Sequence, residues 1–418
     1  MASSTTMQTV DNILKEVYPD NKVTDQLQSE AVTMKRIEST SEGVTEDSGG
    51  KYVRFPIRVK RNHGIGARNE NEVLPEGQSQ GYASAQLDLS YQYGSIKLTG
   101  QVFELAERNF QAFASALEEE MSGIKEGLAK DSNRQAYGTG KGTLTTATGA
   151  GTTTTLITSS ADSTYVEVGM LVDLYDNTDT LKASGNSREI TDIQEDTPGV
   201  GQTTIVFTPA AGGNTASGDF FVRDDNLNKE VTGFGKIVAN SGALYTINPT
   251  TVPIWKSEID DPGASRNISE GSMISMIDRI RKRGGKTTVM FTSYGVRRAY
   301  FQLLVQNRRY TDTKEFTGGF SALAFVTDWG DIPLVSDFDA PAGTIYFINE
   351  KALKIYHAGT WSWMNRDGSN WSRVYNSPSG GGNAGTIDAY SATLFRYWEL
   401  GTSRRNSHGK MTKINEAA

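Results

Sequence analysis

Two short clusters in this sequence contain residue types that can bind nucleotides or metal ions: one is rich in glycine with a lysine, and the other is rich in aspartate. Gly284-Gly285-Lys286-Thr287 resembles the end of a phosphate-binding loop. The full pattern requires a glycine five residues before Gly285, where this chain has Ile280. The tetrapeptide is also expected to follow a helix and precede a strand, the reverse of the required order. The pattern therefore does not predict a nucleotide site.

Metal-binding and catalytic patterns are incomplete as well. Asp173, Asp176 and Asp179 are clustered, but the segment lacks the glycine and the terminal glutamate of a calcium loop. There is no Gly-x-Ser-x-Gly motif, and the absence of cysteine removes thiolate ligands and nucleophiles. The three histidines lie far apart in the sequence: His63, His357 and His408. We predict no catalytic site, no metal site and no cofactor.

Composition limits the class of protein further. The 418 residues are enough for two or three domains, and 42 basic against 49 acidic side chains leave a net charge of −7. This charge argues against a general nucleic-acid binder. The absence of cysteine fits a reducing cytosol. No apolar run approaches 18 residues, and the N-terminus has no basic start followed by an apolar core, so we expect neither a membrane helix nor a signal peptide.

The longest predicted element is a helix from Gln101 to Tyr137. Its apolar residues recur at steps of three and four, which is typical of one buried helix face. They are Phe103, Ala106, Phe110, Phe113, Leu117, Met121, Ile124 and Leu128. At ~1.5 Å per residue such a helix is about 54 Å long. Gly123 and Gly127 interrupt it, and their spacing would permit a bend there.

An extended hairpin is predicted before this helix. Residues 51–60 alternate apolar and charged side chains, and residues 86–98 alternate too, with Leu87, Leu89, Tyr91 and Tyr93 on one face. A polar tip of about 25 residues joins them. An isolated two-stranded hairpin is marginal in water, so we expect it to lie on a partner. Its candidate contact residues are Arg54, Arg58, Lys60, Arg68, Glu70, Glu72 and Glu76.

Residues 143–228 have a different character. Eighteen of these 86 residues are threonine, and three basic against twelve acidic side chains give a charge near −9. Strand-like runs recur at short intervals, separated by turn residues, which predicts a small β-barrel or β-sandwich. The acidity indicates an outward, solvated surface. The segment has the character of an inserted β-rich domain.

Residues 229–350 alternate helices and strands, which predicts an α/β or α+β module, and residues 351–418 are rich in strands. One stretch of the module holds ten basic residues against Glu270 and Asp278. These are Arg266, Arg279, Arg281, Lys282, Arg283, Lys286, Arg297, Arg298, Arg308 and Arg309. Three interpretations remain open: a solvated helix face, contact with acidic partner subunits, or contact with packaged nucleic acid.

The order of these elements resembles the major capsid protein of tailed bacteriophages, the Hong Kong 97-like fold. Three stretches are similar to ones common in siphophages of actinobacteria: Val168-Gly-Met-Leu-Val-Asp173, Glu230-Val-Thr-Gly233 and Ser403-Arg-Arg-Asn-Ser-His408. The resemblance implies an α+β fold with an inserted β domain. Its parts would be the N-terminal arm 1–50, the E-loop hairpin 51–100, the spine helix of the P domain 101–142, the insertion 143–228, mostly A domain 229–350, and returning P-domain strands 351–418.

The resemblance also implies function and partners. Copies of the chain would assemble as hexamers and pentamers into an icosahedral shell enclosing double-stranded DNA, made in the host cytoplasm and found in the virion. About 50 residues precede the hairpin, too few for an internal scaffold, so we expect a separate scaffold protein. A portal and a possible decoration protein are further expected partners, with no membrane.

Two alternatives belong to other classes or compartments. An encapsulin-type bacterial compartment shell shares the fold but usually lacks such an insertion. A β-rich carbohydrate-active enzyme or adhesin is suggested by the tryptophans and the threonine-rich segment. Some capsid proteins cross-link lysine to asparagine between subunits. The hairpin tip here, Gly64–Gly81, contains no lysine, and Lys60 belongs to a strand, so we expect no cross-link.

Overall fold

The computed structural model describes residues 31–41, 44, 52–101, 110–160, 162–195, 201–306, 314–315, 321–327, 330–365, 368–376 and 385–416. The chain divides into two compact units. The described part of the first unit comes from residues 91–132 and 358–398, and the second unit contains residues 32–90, 133–357 and 399 onwards. The predicted N-terminal arm lies mostly outside the described residues.

Helices and strands both contribute to the fold, as the α+β prediction requires. The helices are α1 Val32–Arg36, α2 Phe110–Tyr137, α3 Phe234–Ile237, α4 Glu270–Lys282 and α5 Tyr294–Gln306. The first ten strands are β1 Glu38–Thr40, β2 Tyr52–Lys60, β3 Gly81–Asp88, β4 Ser90–Thr99, β5 Thr143–Thr146, β6 Thr155–Ser159, β7 Leu171–Tyr175, β8 Arg188–Glu195, β9 Gln202–Thr208 and β10 Phe220–Arg223. The others are β11 Glu258–Asp260, β12 Val289–Thr292, β13 Lys314–Glu315, β14 Ser321–Thr327, β15 Gly330–Ser336, β16 Ile345–Ile348, β17 Leu353–His357, β18 Ser362–Trp363, β19 Ser372–Asn376, β20 Gly385–Thr402 and β21 Gly409–Met411.

The predicted long helix is present as α2, which runs without a break through Gly123 and Gly127 to Tyr137. Residues 102–109 of the predicted range lie outside the described residues. A Cβ added at either glycine would meet no atom within 4 Å, so both glycines lie in open space. Packing within the chain therefore does not require glycine at either position.

In the first unit, β4, β18 and β19 pair with β20. The helix approaches β4 at Gly94, where an added Cβ would lie 2.6 Å from Leu128 Cδ1. A buried amide links the elements: Gln92 Oε1 accepts from Trp398 Nε1 at 2.9 Å and from Ser132 Oγ at 3.0 Å. Because Gly94 has no side chain, β4 and α2 can lie this close together.

The hairpin of the second unit consists of β2 and β3, with Tyr52 opposite Asp88 and Arg58 opposite Tyr82. Alternation along β2 is as predicted, with the charged side chains outward. The prediction of a single strand over residues 86–98 is wrong. The chain breaks at Leu89, and β4 then pairs with β20 instead of β2. Because the partner changes, Leu87 and Leu89 are buried, whereas Tyr91 and Tyr93 are about half exposed.

Residues 143–223 form a six-stranded antiparallel sheet in the order β5-β10-β7-β8-β9-β6. An antiparallel bridge between Ala147 and Thr158 joins the two ends of this order, so the sheet closes into a barrel. Its interior is apolar, with Leu156, Leu174 and Phe221 among its fully buried side chains. That this barrel is an insertion into a smaller fold remains a prediction.

A seven-stranded mixed sheet, β11-β21-β16-β12-β15-β14-β13, forms the rest of the second unit's core together with α4 and α5. Strand β12 pairs in parallel with β15 and antiparallel with β16. Helix α4 buries Met273, Met276, Ile277 and Ile280 against this sheet. Ser269 caps its first turn by accepting a hydrogen bond from Ser272 N at 3.2 Å.

Candidate assembly surfaces

The tip of the hairpin, residues 64–81, has the most exposed large apolar side chains among the described residues. Ile65, Val73 and Leu74 have 83, 88 and 79% of their surface open to solvent. The predicted contact residues Arg68, Glu70, Glu72 and Glu76 are exposed beside them, and Arg54, Arg58 and Lys60 follow the outer face of β2. Large apolar side chains are unfavourable in water, so a tip that exposes three of them has the composition of a protein interface.

The tip has internal order despite its exposure. Arg68 donates from Nε to the carbonyl of Val73 at 2.8 Å. Glu72 accepts from the backbone and side chain of Asn69, and these hydrogen bonds lower the pKa of the Glu72 carboxyl. The tip is therefore a shaped loop whose apolar side chains project from a hydrogen-bonded turn.

The base of the hairpin is anchored by aromatic side chains. The ring of Phe55 stacks on Tyr356, with centroids 6.3 Å apart, and meets the edge of Tyr245 at 6.4 Å. Gln86 N also donates to the Tyr245 carbonyl at 3.1 Å. An added Cβ on Gly401 would lie 2.5 Å from the Tyr356 ring, so this contact requires glycine. The hairpin is thus fixed at its base and unsupported at its tip.

Ion pairs within the described part of the chain hold Arg266, Arg279 and Arg283 of the predicted basic residues. Glu258 on β11 binds Arg279, with Nη2 to Oε2 at 2.9 Å, and also binds Arg283. Arg266 binds Asp260 at 2.5 Å. The sequence did not indicate these pairs, because Glu258 and Asp260 precede the basic stretch. Arg279 and Arg283 therefore join α4 to the edge of the sheet, and Arg266 joins the segment before α4 to β11.

The other predicted basic residues are in two places. Lys282 and Lys286 are exposed at the end of α4, and Arg281 is beside them. Arg297 and Arg298 are exposed on α5, where Arg297 lies over the Tyr294 ring at 5.4 Å and donates to Ser336 Oγ at 3.2 Å. Arg308 and Arg309 lie outside the described residues. Whether these side chains contact subunits or DNA stays a prediction.

A buried polar network holds the segment that follows the predicted arm. Asp337 Oδ2 accepts from Thr33 N at 3.0 Å and from Thr33 Oγ1 at 2.6 Å, while Asn133 Nδ2 donates to Asp337 Oδ1 at 3.0 Å. Tyr137 Oη lies 2.5 Å from Thr33 Oγ1, and burial raises the pKa of Tyr137. This network joins segments about 100 and 200 residues apart, so no local sequence signal could have revealed it.

Two of the aspartates tested as calcium ligands form hydrogen bonds within the barrel instead. Asp173 is buried and accepts from Ser187 N and Asp225 N. Asp176 accepts from Thr178 N and Thr180 N in a turn. Among the described residues, no group of three or more His, Asp or Glu side chains is arranged to hold a metal ion. No helix in the same part of the chain is both long and apolar enough to cross a membrane.

Comparison with known proteins gives the class of the fold. Across 94% of this chain and 95% of the other, the structure is similar to the capsid asymmetric unit of cyanophage A-1(L), with a TM-score of 0.55 and 14% identity. It is also similar to a Mycobacterium phage Bobi structure (TM-score 0.45, 11% identity, 97% of both chains). A third similar structure is the holo-SrpI encapsulin complex from Synechococcus elongatus PCC 7942 (TM-score 0.45, 8% identity, 96% and 94%). The fold is that of the Hong Kong 97-like capsid proteins.

Part of the sequence also matches a family of capsid proteins. Residues 210–369 match the sequence model of the family described as SU10 major capsid protein. No curated protein matches the sequence. Together, the family match and the fold support a major capsid protein of a tailed phage, which confirms the expectation drawn from the order of elements.

Proposed function

We propose that copies of this chain assemble as hexamers and pentamers into an icosahedral shell that encloses double-stranded DNA. The observation that carries the proposal is the match of residues 210–369 to the SU10 major capsid protein family within a chain of capsid fold. In this role the chain is a structural protein and not an enzyme. The shell belongs to the virion and is assembled in the host cytoplasm.

The hairpin supports this proposal physically. Its base is held by Phe55 and its tip exposes Ile65, Val73 and Leu74. Burying these three side chains against a neighbour would contribute several kcal/mol, at about 1.5–3 kcal/mol each. The tip, with its charged residues, would then be the E-loop of the resemblance, reaching over an adjacent subunit.

Further partners follow from the same proposal. A separate scaffold protein would guide assembly, a portal would occupy one vertex, and a decoration protein could bind outside, where the acidic barrel would lie. The proposed domain division is the one expected from the sequence, with the arm at 1–50, the E-loop at 51–100, the spine at 101–142, the barrel at 143–228, the A domain at 229–350 and the P-domain strands at 351–418.

Electron microscopy of the expressed chain, with and without scaffold, tests the proposal. Isometric shells are the expected result, and small soluble monomers under all conditions would contradict it. An encapsulin-type compartment is the second candidate, and it is distinguished by shell content. Nuclease-protected double-stranded DNA in particles from infected cells supports the phage shell, whereas a protein cargo in its place supports the compartment.

A further inference from the structure

Strand β8 has three acidic side chains, more than any other strand of the barrel. Glu189, Asp192 and Glu195 of β8 are all exposed. The neighbouring strand β9 has no charged residue. None of the three carboxylates takes part in an ion pair within the described part of the chain; Asp192 accepts only from Ile193 N and Gln194 Nε2. At ~3.3 Å per residue, the three carboxylates extend over about 20 Å.

This strand is also a partly open edge. Strand β7 pairs with β8 only at Arg188 and Glu189, whereas β9 pairs with it as far as Glu195. Within the described residues, 191–195 therefore have a strand neighbour on one side alone. Among the described residues, the segment 191–195 thus combines carboxylates that form no ion pair with a backbone that has a strand on one side only, and we name it the acidic edge.

The end of α4 presents the opposite charge on a rigid support. Arg404 Nη2 donates to the Gly284 carbonyl at 2.7 Å, and Asn406 Nδ2 donates to the Arg283 carbonyl at 2.8 Å. An added Cβ on Gly285 would lie 2.7 Å from Ser407 Cα, so the backbone lies directly on this neighbour. The turn at residues 282–286, which we name the basic turn, is therefore fixed in place.

Two lysines of the basic turn point into solvent. Lys282 and Lys286 are exposed and take part in no ion pair in the described part of the chain, whereas Arg283 is held by Glu258. Ammonium groups on a fixed backbone lose little main-chain entropy when they bind a partner. The basic turn is thus a preorganised cationic surface, although Asp278 lies one helical turn before Lys282.

We propose that the basic turn of one copy contacts the acidic edge of a second copy. The inference rests on the proposed shell function and names the surfaces that meet. Each copy has one surface of each sign, so contacts of this kind can repeat from copy to copy around a closed ring. The charges of the two surfaces are complementary, and the open side of β8 adds backbone groups that a second copy can bind.

Charge reversal with rescue tests this contact in the full chain. Lys282→Glu with Lys286→Glu places like charges together, and we expect shell yield at low salt to fall about tenfold. Adding Asp192→Lys and Glu195→Lys to the same chain should restore most of the yield, because the signs are then exchanged. Lys282→Arg with Lys286→Arg is the matched control and should assemble as the original chain does. Circular dichroism and melting of the unassembled subunit verify that each variant folds.

Three results would overturn the contact. Shells of normal yield from the lysine-to-glutamate variant would do so, as would failure of the rescue in folded subunits. Normal shells that no longer retain DNA would assign the lysines to DNA phosphates instead. In each case the original chain still forms shells, so the proposed function stands. If the original chain forms no shells at all, it is the proposed function that fails.

Discussion

The carboxylate of Glu399 accepts a hydrogen bond from Ser90 Oγ at 2.8 Å. Its other oxygen accepts from Thr232 N at 2.6 Å. The group is fully buried, and burial raises the pKa of Glu399 to about 7. Ser90 Oγ also lies 3.4 Å from the Glu230 carbonyl, so the hydroxyl has an alternative acceptor when Glu399 carries a proton. The nearby charged side chains include Glu230, paired with Arg134, and Arg405 beside Tyr245.

This geometry predicts a pH-dependent stability. The carboxyl is protonated more readily in the folded subunit than in the unfolded chain, where its pKa is 4.5. The free energy of unfolding should therefore decrease as pH rises from 4.5 to 7, by about 3 kcal/mol from this group. Glu399→Gln should remove this contribution and stabilise the subunit above pH 7. Urea unfolding of both proteins from pH 4.5 to 8 measures it, and parallel pH profiles would contradict the prediction.

His408 should give the opposite pH dependence. Its Nδ1 accepts from Asn349 N at 3.3 Å, so Nε2 carries the proton and donates to Thr402 Oγ1 at 2.8 Å. Burial lowers the pKa of His408 to about 3, from 6.5. The contribution of His408 to the free energy of unfolding is fully present above pH 6.5. It should fall by about 3 kcal/mol as pH decreases to 4.5, because the unfolded chain binds the proton first.

The two groups should nearly cancel between pH 4.5 and 6.5 in the unchanged chain. His408→Gln retains an acceptor and a donor without titrating, so it should unmask the Glu399 slope. The double variant Glu399→Gln with His408→Gln should be nearly flat in this range. A steep residual slope in that double variant would show that other groups control the pH response.

Arg405 should contribute strongly to the free energy of unfolding, because it binds four backbone carbonyls. Its fully buried guanidinium donates to the carbonyls of Ile237 at 3.0 Å, Lys236 at 3.0 Å, Gly242 at 3.1 Å and Ser241 at 3.2 Å. Arg405→Met should lower the free energy of unfolding by at least about 3 kcal/mol, since several buried carbonyls lose their donor. Arg405→Lys should be intermediate, because one ammonium cannot reach all four. Arg404→Lys, at an exposed neighbour, is the control and should change stability by less than about 1 kcal/mol.

Gly123 and Gly127 allow a test of the predicted bend. Alanine fits at both positions, where an added Cβ meets nothing within 4 Å, and should stabilise α2 by up to about 1 kcal/mol per site. If shell maturation bends the helix, the double variant should melt higher and yet stall at the precursor shell. Gly233→Ala is the contrasting control, because its Cβ would overlap the carbonyls of Gln135 and Ala136 and should destabilise the subunit. Normal maturation of the double variant would exclude a bend at these residues.

The hairpin tip should be dispensable for folding and necessary for assembly. Replacing residues 64–81 by a short turn removes no buried side chain. The free energy of unfolding should therefore stay within about 0.5 kcal/mol of that of the unchanged chain. Shells should not form, as measured by sedimentation and microscopy. Serine at Ile65, Val73 and Leu74 should have the same effect with the loop intact. Loss of folding would refute this assignment, since it would mean that the tip supports its own subunit.

Local sequence patterns determined which elements form. The period of three and four residues predicted α2 and alternation predicted β2, because each pattern reflects one buried face of one element. Strand-like runs between turn residues predicted the β-rich character of residues 143–228. The barrel was predicted as one of two β architectures, and only the Ala147–Thr158 bridge decided for closure. The order of elements indicated the class of protein. That order is shared with the capsid structure of cyanophage A-1(L), although the two sequences are only 14% identical.

Tertiary structure alone decided which residues meet. Tyr91 and Tyr93 continue the alternation of Leu87, yet they are exposed because β4 pairs with β20, nearly 300 residues away. Glu258 takes up Arg279 and Arg283, and Glu399 lies against Ser90, because the fold brings distant segments together. Burial and pairing depend on the three-dimensional neighbours of a side chain, and spacing along the chain does not specify them. The sequence determined which elements form, and the fold decided which charges are paired within the chain.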